Sequence, residues 1–114
     1  ALSQVRRLSA WALRDLLASE RDRGGLCLVD VREPHEFNTG HLHGAHNIPL
    51  ADLARRLGEL EGGRTAVFLC RSGRRSLMAC ALALRSGMKA PAHLEGGLLA
   101  WVAEVDPALE VAAG

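Results

Sequence analysis

No stretch of this 114-residue chain is apolar for long enough to cross a bilayer, and no signal peptide is visible. A membrane role is therefore not expected. Charge of one sign is also lacking: the net charge is +1, which gives no basis for binding nucleic acid or a membrane surface. Lysine is nearly absent, Lys89 being the only one, so arginine carries almost all the positive charge. Cysteine is scarce and odd in number. Cys27, Cys70 and Cys80 have no tight spacing, so they do not form a disulfide framework. Cys70 and Cys80, read on one helix, would lie about 15 Å apart along its axis, beyond disulfide reach. A reducing cytoplasm is the expected compartment. The chain begins at Ala1, so an initiator methionine has been removed or the piece belongs to a longer chain. Internal repeats and linkers are absent, and the length suits a single domain over residues 1–114 with one core.

What is present is organised around residues 65–84. The apolar run Thr65-Ala-Val-Phe-Leu ends at Cys70, a basic loop follows, and an alanine- and leucine-rich run stops at Gly87. This order predicts a buried strand, a tight loop and a helix. Cys70 then lies at the carboxyl end of a strand, facing a helix start, where open α/β sheets bind ligands. Free N–H groups at a helix start favour an anion. They and Arg71, Arg74 and Arg75 favour a thiolate over a thiol. A buried inert thiol is the alternative, but it would gain nothing from three adjoining arginines.

The rest of the chain alternates in kind. Val5–Leu8 suits a short strand, and Ser9 an N-cap for a helix from Ala10 to about Arg23 with Trp11, Leu13, Leu16 and Leu17 as core. Leu26–Val31 reads as a buried strand, with Cys27 in the core and Asp30 as a partner for Arg32 or an acceptor that organises the loop. Glu33–Phe37 suggests one helical turn and Ala45–Ile48 a short strand. The cluster His35, His41, His43 and His46 raises the question of zinc. No pair has i, i+4 spacing and no cysteine joins them, so structural or surface roles are favoured and no metal is expected. Ala51–Leu60 has a helical apolar face. The helix after Cys70 is apolar nearly all round, which predicts that other elements cover it. Ala92–Leu94 is a short strand, Glu95–Gly97 a turn, and Leu98–Val105 a helix with Trp101 as a core anchor; Pro107 ends it, and a tail follows. This alternation predicts an α/β fold with a mostly parallel central sheet flanked by helices on both faces.

Three separated stretches together resemble the rhodanese (sulfurtransferase) family. They are Asp30-Val-Arg-Glu-Pro-His-Glu-Phe37 with Gly40-His-Leu-His-Gly-Ala-His-Asn-Ile-Pro49, then Cys70-Arg-Ser-Gly-Arg-Arg-Ser76, then Glu95-Gly-Gly-Leu-Leu-Ala-Trp101. His43 departs from the family's usual proline. The resemblance implies a rhodanese-like fold, with Cys70 as the sulfur-carrying nucleophile. Arg71, Ser72, Gly73, Arg74, Arg75 and Ser76 become the loop that binds the sulfur donor. Asp30, Arg32, Glu36 and His41 fall in the family's structural box, not among catalytic groups. The last stretch, running to Asp106-Pro107, is similar to rhodanese domains attached to the adenylyltransferases that activate sulfur carriers. The partners so implied are a small anionic donor, thiosulfate or a persulfide, and a sulfur-carrier protein or its adenylyltransferase.

The implied chemistry is a ping-pong sulfur transfer through a Cys70 persulfide, without metal or organic cofactor. Ser72 and Ser76 would offer hydroxyl hydrogen bonds. Arg71 and Arg74 are expected at the loop rim, and Arg75 is expected to turn into the body toward an acidic partner. One rival is a cysteine phosphatase, but Ser76 stands where its catalytic arginine would be, and the loop is a residue short. A non-catalytic rhodanese-like binding or regulatory module is the other, and such modules typically lack the cysteine.

Overall fold

The computed structural model describes residues 2–19, 25–60 and 62–113. Among them the strands are β1 Arg6–Leu8, β2 Leu26–Asp30, β3 His46–Asn47, β4 Thr65–Leu69 and β5 Ala92–Leu94. The helices are α1 Ala10–Ala18, α2 Pro34–Thr39, α3 Leu50–Arg56, α4 Arg74–Arg85 and α5 Gly97–Glu104, with 3-10 turns at Leu2–Gln4 and Leu57–Leu60. The sheet has the order β1-β5-β4-β2-β3, and every pairing is parallel. Parallel neighbours need crossovers, and the helices supply them on both faces.

Strand periodicity divides the core. Cys27, Val29, Ala66 and Phe68 face α3 and α4, packing with Leu53, Ala79, Cys80 and Ala83. Leu28, Val67, Leu69, Ala92 and Leu94 face α1 and α5, packing with Leu13, Leu98 and Trp101. The central strands are thus buried on both sides, which is why they read as continuous apolar runs.

Several expectations are corrected. Ser9 caps α1 by accepting from the Ala12 N–H at 3.0 Å, but the helix ends at Ala18, where Ser19 is extended; Arg23 and Gly24 lie outside the described residues. Trp11 is not core: it is 46% exposed, with the Arg14 guanidinium over its ring at 4.4 Å. The charge on its face replaces burial. The helix after Cys70 is covered over most of its surface, with Leu77, Leu82 and Leu84 partly buried against the core, but not all round, since Met78 is 59% exposed. Its small residues Ala79 and Ala83 make the buried stripe that lets α4 approach the sheet. The segment after Pro107 is not a free tail. Leu109 and Val111 pack on the α1/α5 side, and the Glu110 carbonyl lies against Gly40 where no Cβ would fit.

A buried ion pair fixes the exit of β2. Asp30 and Arg32 are both fully buried, and Arg32 Nη2 and Nε donate to Asp30 Oδ2 at 2.8 and 3.1 Å. Nη2 also donates to the Gly40 carbonyl at 2.8 Å, and Asn47 Nδ2 donates to the Asp30 and Arg32 carbonyls at 3.0 and 2.9 Å. Both roles read for Asp30 are therefore present. Removing one partner leaves a buried charge alone, so Arg32→Ala should lower stability by about 3–5 kcal/mol in urea unfolding. The double variant Asp30→Asn, Arg32→Ala should recover part of that loss; strictly additive losses would show that the pair is not coupled.

Candidate functional site

Cys70 follows β4 directly and is fully buried. Two backbone N–H groups converge on its sulfur: Gly73 N at 3.1 Å and Ser76 N at 3.3 Å. The Gly73 N–H can point there because Gly73 is left-handed, with φ +99°, a conformation that costs a side-chain-bearing residue. Gly73 is also the N-cap of α4, so the sulfur sits where that helix exposes its unpaired donors. The carbonyl side is held by the other helix start. Leu98 N donates to the Cys70 carbonyl at 2.9 Å and Leu99 N to the Arg71 carbonyl at 3.0 Å. A Cβ on Gly97 would strike the Cys70 and Arg71 carbonyls, so glycine is needed for α5 to come this close. Two helix N-termini thus grip one residue from opposite sides.

The loop residues divide by role. Ser72 and Arg74 are exposed. Arg71 is half-buried, and its Nε donates to the Ala112 carbonyl at 3.1 Å, so the C-terminal segment reaches the loop and Arg71 is not free at the rim. Arg75 turns into the body and makes a two-pronged pair with Glu36, at 2.7 and 3.0 Å. Ser76 is buried beside the sulfur, with Sγ and Oγ 3.7 Å apart. Sequence reasoning did not single out His93. It is buried in β5, its Nδ1 2.9 Å from Ser76 Oγ and its Nε2 2.9 Å from Glu95 Oε2. The one available signal was a polar residue between Ala92 and Leu94, which period-two alternation turns onto the α4 side of the sheet.

The other thiols and histidines lie apart from this chemistry. Burial pushes the Cys80 thiol up to about 12, which keeps it protonated and inert, and Cys27 is buried in the same core. His41 stacks on Phe37 at 3.8 Å and bonds the Phe37 carbonyl through Nδ1 at 2.8 Å. His41, His43 and His46 line a cleft with Leu26 and Leu109, away from Cys70. Among the described residues no group of three His, Cys, Asp or Glu is placed to hold a metal ion.

Residues 12–104 match the family model described as Rhodanese-like domain. The chain is 40% identical over 97 residues to the Mycobacterium tuberculosis protein named "Probable adenylyltransferase/sulfurtransferase MoeZ"; the match takes in 83% of this chain and 24% of that one. This chain thus spans about a quarter of that relative's length. It is 34% identical over 97 residues to a sulfurtransferase of Allochromatium vinosum, covering 85% of this chain and 88% of that one. Its fold matches the crystal structure of thiosulfate sulfurtransferase from Pseudomonas aeruginosa with a TM-score of 0.80, over 97% of this chain and 21% of that chain at 24% identity.

The Glu36–Arg75 pair gives the site an acid limit. Its hydrogen bonds, aided by the Glu33 N–H and the Arg32 charge and opposed by burial, hold Glu36 down from 4.5 to about 2. A carboxyl lowered on folding stabilises the protein above its unfolded value, and the gain is lost as pH falls through the folded one. The window therefore runs from about pH 5 to about pH 2. Glu36 is 5% exposed but Arg75 is 33% exposed, so screening leaves the pair worth about 2 kcal/mol at neutral pH. Glu36→Gln should lose that amount and flatten the acid limb of the melting temperature against pH. An unchanged limb would assign acid unfolding to other carboxylates.

Proposed function

The chain belongs to the rhodanese family, and from that premise we propose that it is a sulfurtransferase working through a persulfide on Cys70. The observation that carries the proposal is the convergence of the Gly73 and Ser76 N–H groups on Cys70 Sγ. Sulfur anions are what such donors stabilise, as oxyanion-hole donors stabilise oxygen. The Cys70 thiolate attacks the outer, sulfane sulfur of thiosulfate or of a persulfide. A new S–S bond forms, and the donor's S–S bond breaks with its electron pair leaving on sulfite or on a thiolate. The persulfide then gives its terminal sulfur to cyanide or to a thiolate, whose attack breaks the S–S bond and returns the Cys70 thiolate. With a carrier's activated carboxylate the terminal sulfur instead displaces the activating group to form an acyl disulfide, and two thiols, oxidised to a disulfide, then release the thiocarboxylate and the Cys70 thiolate.

The donor is a small anion drawn in by Arg71 and Arg74, while Ser72 and Ser76 contribute hydroxyls near the loop. Arg75 is spent on Glu36 and holds the loop to α2 instead of binding donor. We propose a sulfur-carrier protein or its adenylyltransferase as the acceptor side, because the name of MoeZ joins adenylyltransferase and sulfurtransferase in one chain. A single domain over residues 1–114 in a reducing cytoplasm suffices for this chemistry.

Cys70→Ser should abolish thiosulfate-to-cyanide sulfur transfer with the circular dichroism spectrum unchanged, since oxygen cannot hold the sulfane sulfur. Cys80→Ser should stay active; the reverse pattern would mean a different thiol carries the sulfur. The Arg71→Ala, Arg74→Ala double variant should raise KM for thiosulfate about tenfold and weaken its salt dependence. Unchanged kinetics in that variant would leave donor binding to the backbone N–H groups alone.

A further inference from the structure

The buried sulfur of Cys70 must lose a proton before it can attack. Gly73 N–H and Ser76 N–H are donors and can take none. The Ser76 hydroxyl, with Oγ 3.7 Å from Sγ, is the acceptor within hydrogen-bond reach among the described contacts. Beyond it the polar contacts continue without a break. Ser76 Oγ lies 2.9 Å from His93 Nδ1, His93 Nε2 lies 2.9 Å from Glu95 Oε2, and the Glu95 side chain is 52% exposed. Arg7 of β1 closes the series, with Nη1 3.4 Å from the same Glu95 oxygen. Cys70, Ser76 and His93 are buried, whereas Glu95 meets water.

We infer that Ser76, His93 and Glu95 form a proton relay that takes the proton from the Cys70 thiol and leads it toward solvent. This inference rests on Cys70 being the nucleophile of the proposed sulfur transfer. The tautomer follows from the partners. Nε2 faces a carboxylate and carries the hydrogen, so Nδ1 of the neutral ring is an acceptor for the Ser76 hydroxyl. The Gly73 carbonyl, 3.1 Å from Ser76 Oγ, competes for that single hydroxyl hydrogen. In the transfer the thiol proton passes to Ser76 Oγ as the hydroxyl proton passes to His93 Nδ1. The products are a thiolate and an imidazolium, no electrons change hands, and the Ser76 hydroxyl now donates to sulfur. The imidazolium is held by the Glu95 carboxylate and can pass its Nε2 proton to that carboxylate and on to water.

The groups facing His93 act in opposite senses. Burial lowers its proton affinity and the Glu95 hydrogen bond raises it, while the Arg7 charge lowers it further. The ring therefore rests neutral and takes a proton only as the thiolate forms beside it. Ser76 exchanges its proton with the reacting sulfur itself, whereas His93 acts on that sulfur only through Ser76.

The test is alkylation of Cys70 by iodoacetamide from pH 5 to 10, followed by peptide mapping so that Cys27 and Cys80 are scored apart. His93→Gln keeps a side chain able to bond Ser76 but unable to take its proton. Its Cys70 alkylation should fall about tenfold near pH 7 and recover at high pH, where hydroxide replaces the relay. Glu95→Gln, altered at the exposed end where the fold is not at stake, should show a smaller loss with the same recovery. Profiles of both variants that overlay the parent, or that fall equally at every pH, would overturn the relay. Thiosulfate-to-cyanide transfer is measured in parallel. A shifted alkylation profile in a parent protein that transfers no sulfur would refute the sulfurtransferase reading and leave the relay standing.

Discussion

The two N–H groups that meet at Cys70 Sγ are the constraint on which the site depends. They exist there because a β-strand ends, a left-handed glycine turns the chain, and a helix begins, all within residues 69–74. Each N–H would otherwise be an unpaired donor in a buried loop, at a cost of about 1–3 kcal/mol. A sulfur anion satisfies both. In the candidate site Gly73 therefore acts through its backbone. Gly97 serves the same end from the far side, because its missing Cβ lets the first N–H groups of α5 reach the Cys70 and Arg71 carbonyls.

The second layer of support is ionic and lies between β2 and the loop. Asp30–Arg32 is fully buried, and a buried pair gains little net stability over an apolar one. Its value here is geometric. It fixes the Gly40 carbonyl and, through Asn47, the return of the chain to β3, and so places Glu36 on α2 where Arg75 can reach it. The loop after Cys70 is thus tied to the sheet through Arg75, Glu36 and the box around Arg32. The Gly40 carbonyl receives Arg32 on one side, and the Gly40 Cα meets the Glu110 carbonyl on the other. The same small residue therefore lets the C-terminal segment lie close enough for Ala112 to reach Arg71.

The sheet, the helices on both faces and the position of Cys70 were legible in the sequence because each rests on local signals. These are continuous apolar runs for β2 and β4, Ser9 before α1, and one glycine between cysteine and helix. The helical turn of α2 was legible too, over Glu33–Phe37, and the structure adds that Glu33 and Glu36 close its start as a capping box. What sequence reasoning missed depends on contacts between distant residues. Trp11 is the exception: residues two apart point to different sides of a helix, so it falls off the buried stripe of Ala10 and Leu13, and the local spacing already separates them. His93 and Ser76 are 17 residues apart and meet only because β5 and α4 are neighbours. The docking of Leu109 and Val111 depends on a groove that no periodicity of the tail announces.

The charge layout decides which arginines present their charge to an approaching anion. Arg32 is neutralised by Asp30 in the core, and Arg75 by Glu36 at the loop's inner edge. Arg71 gives its Nε hydrogen bond to a carbonyl, which orients the guanidinium, and no carboxylate is paired with it among the described residues. Arg74 is exposed, with no carboxylate against it among the described residues. The three loop arginines are therefore not equivalent, although the sequence presents them as one basic cluster. One is structural, one is oriented by the C-terminal segment, and one is free. The field that an incoming anion meets comes mainly from the last two, since a salt-bridged charge projects little beyond its own partner. On the proposed sulfur transfer, a dianionic donor approaching a thiolate needs that field at the mouth of the site, and the backbone donors supply the complementary stabilisation at the sulfur itself.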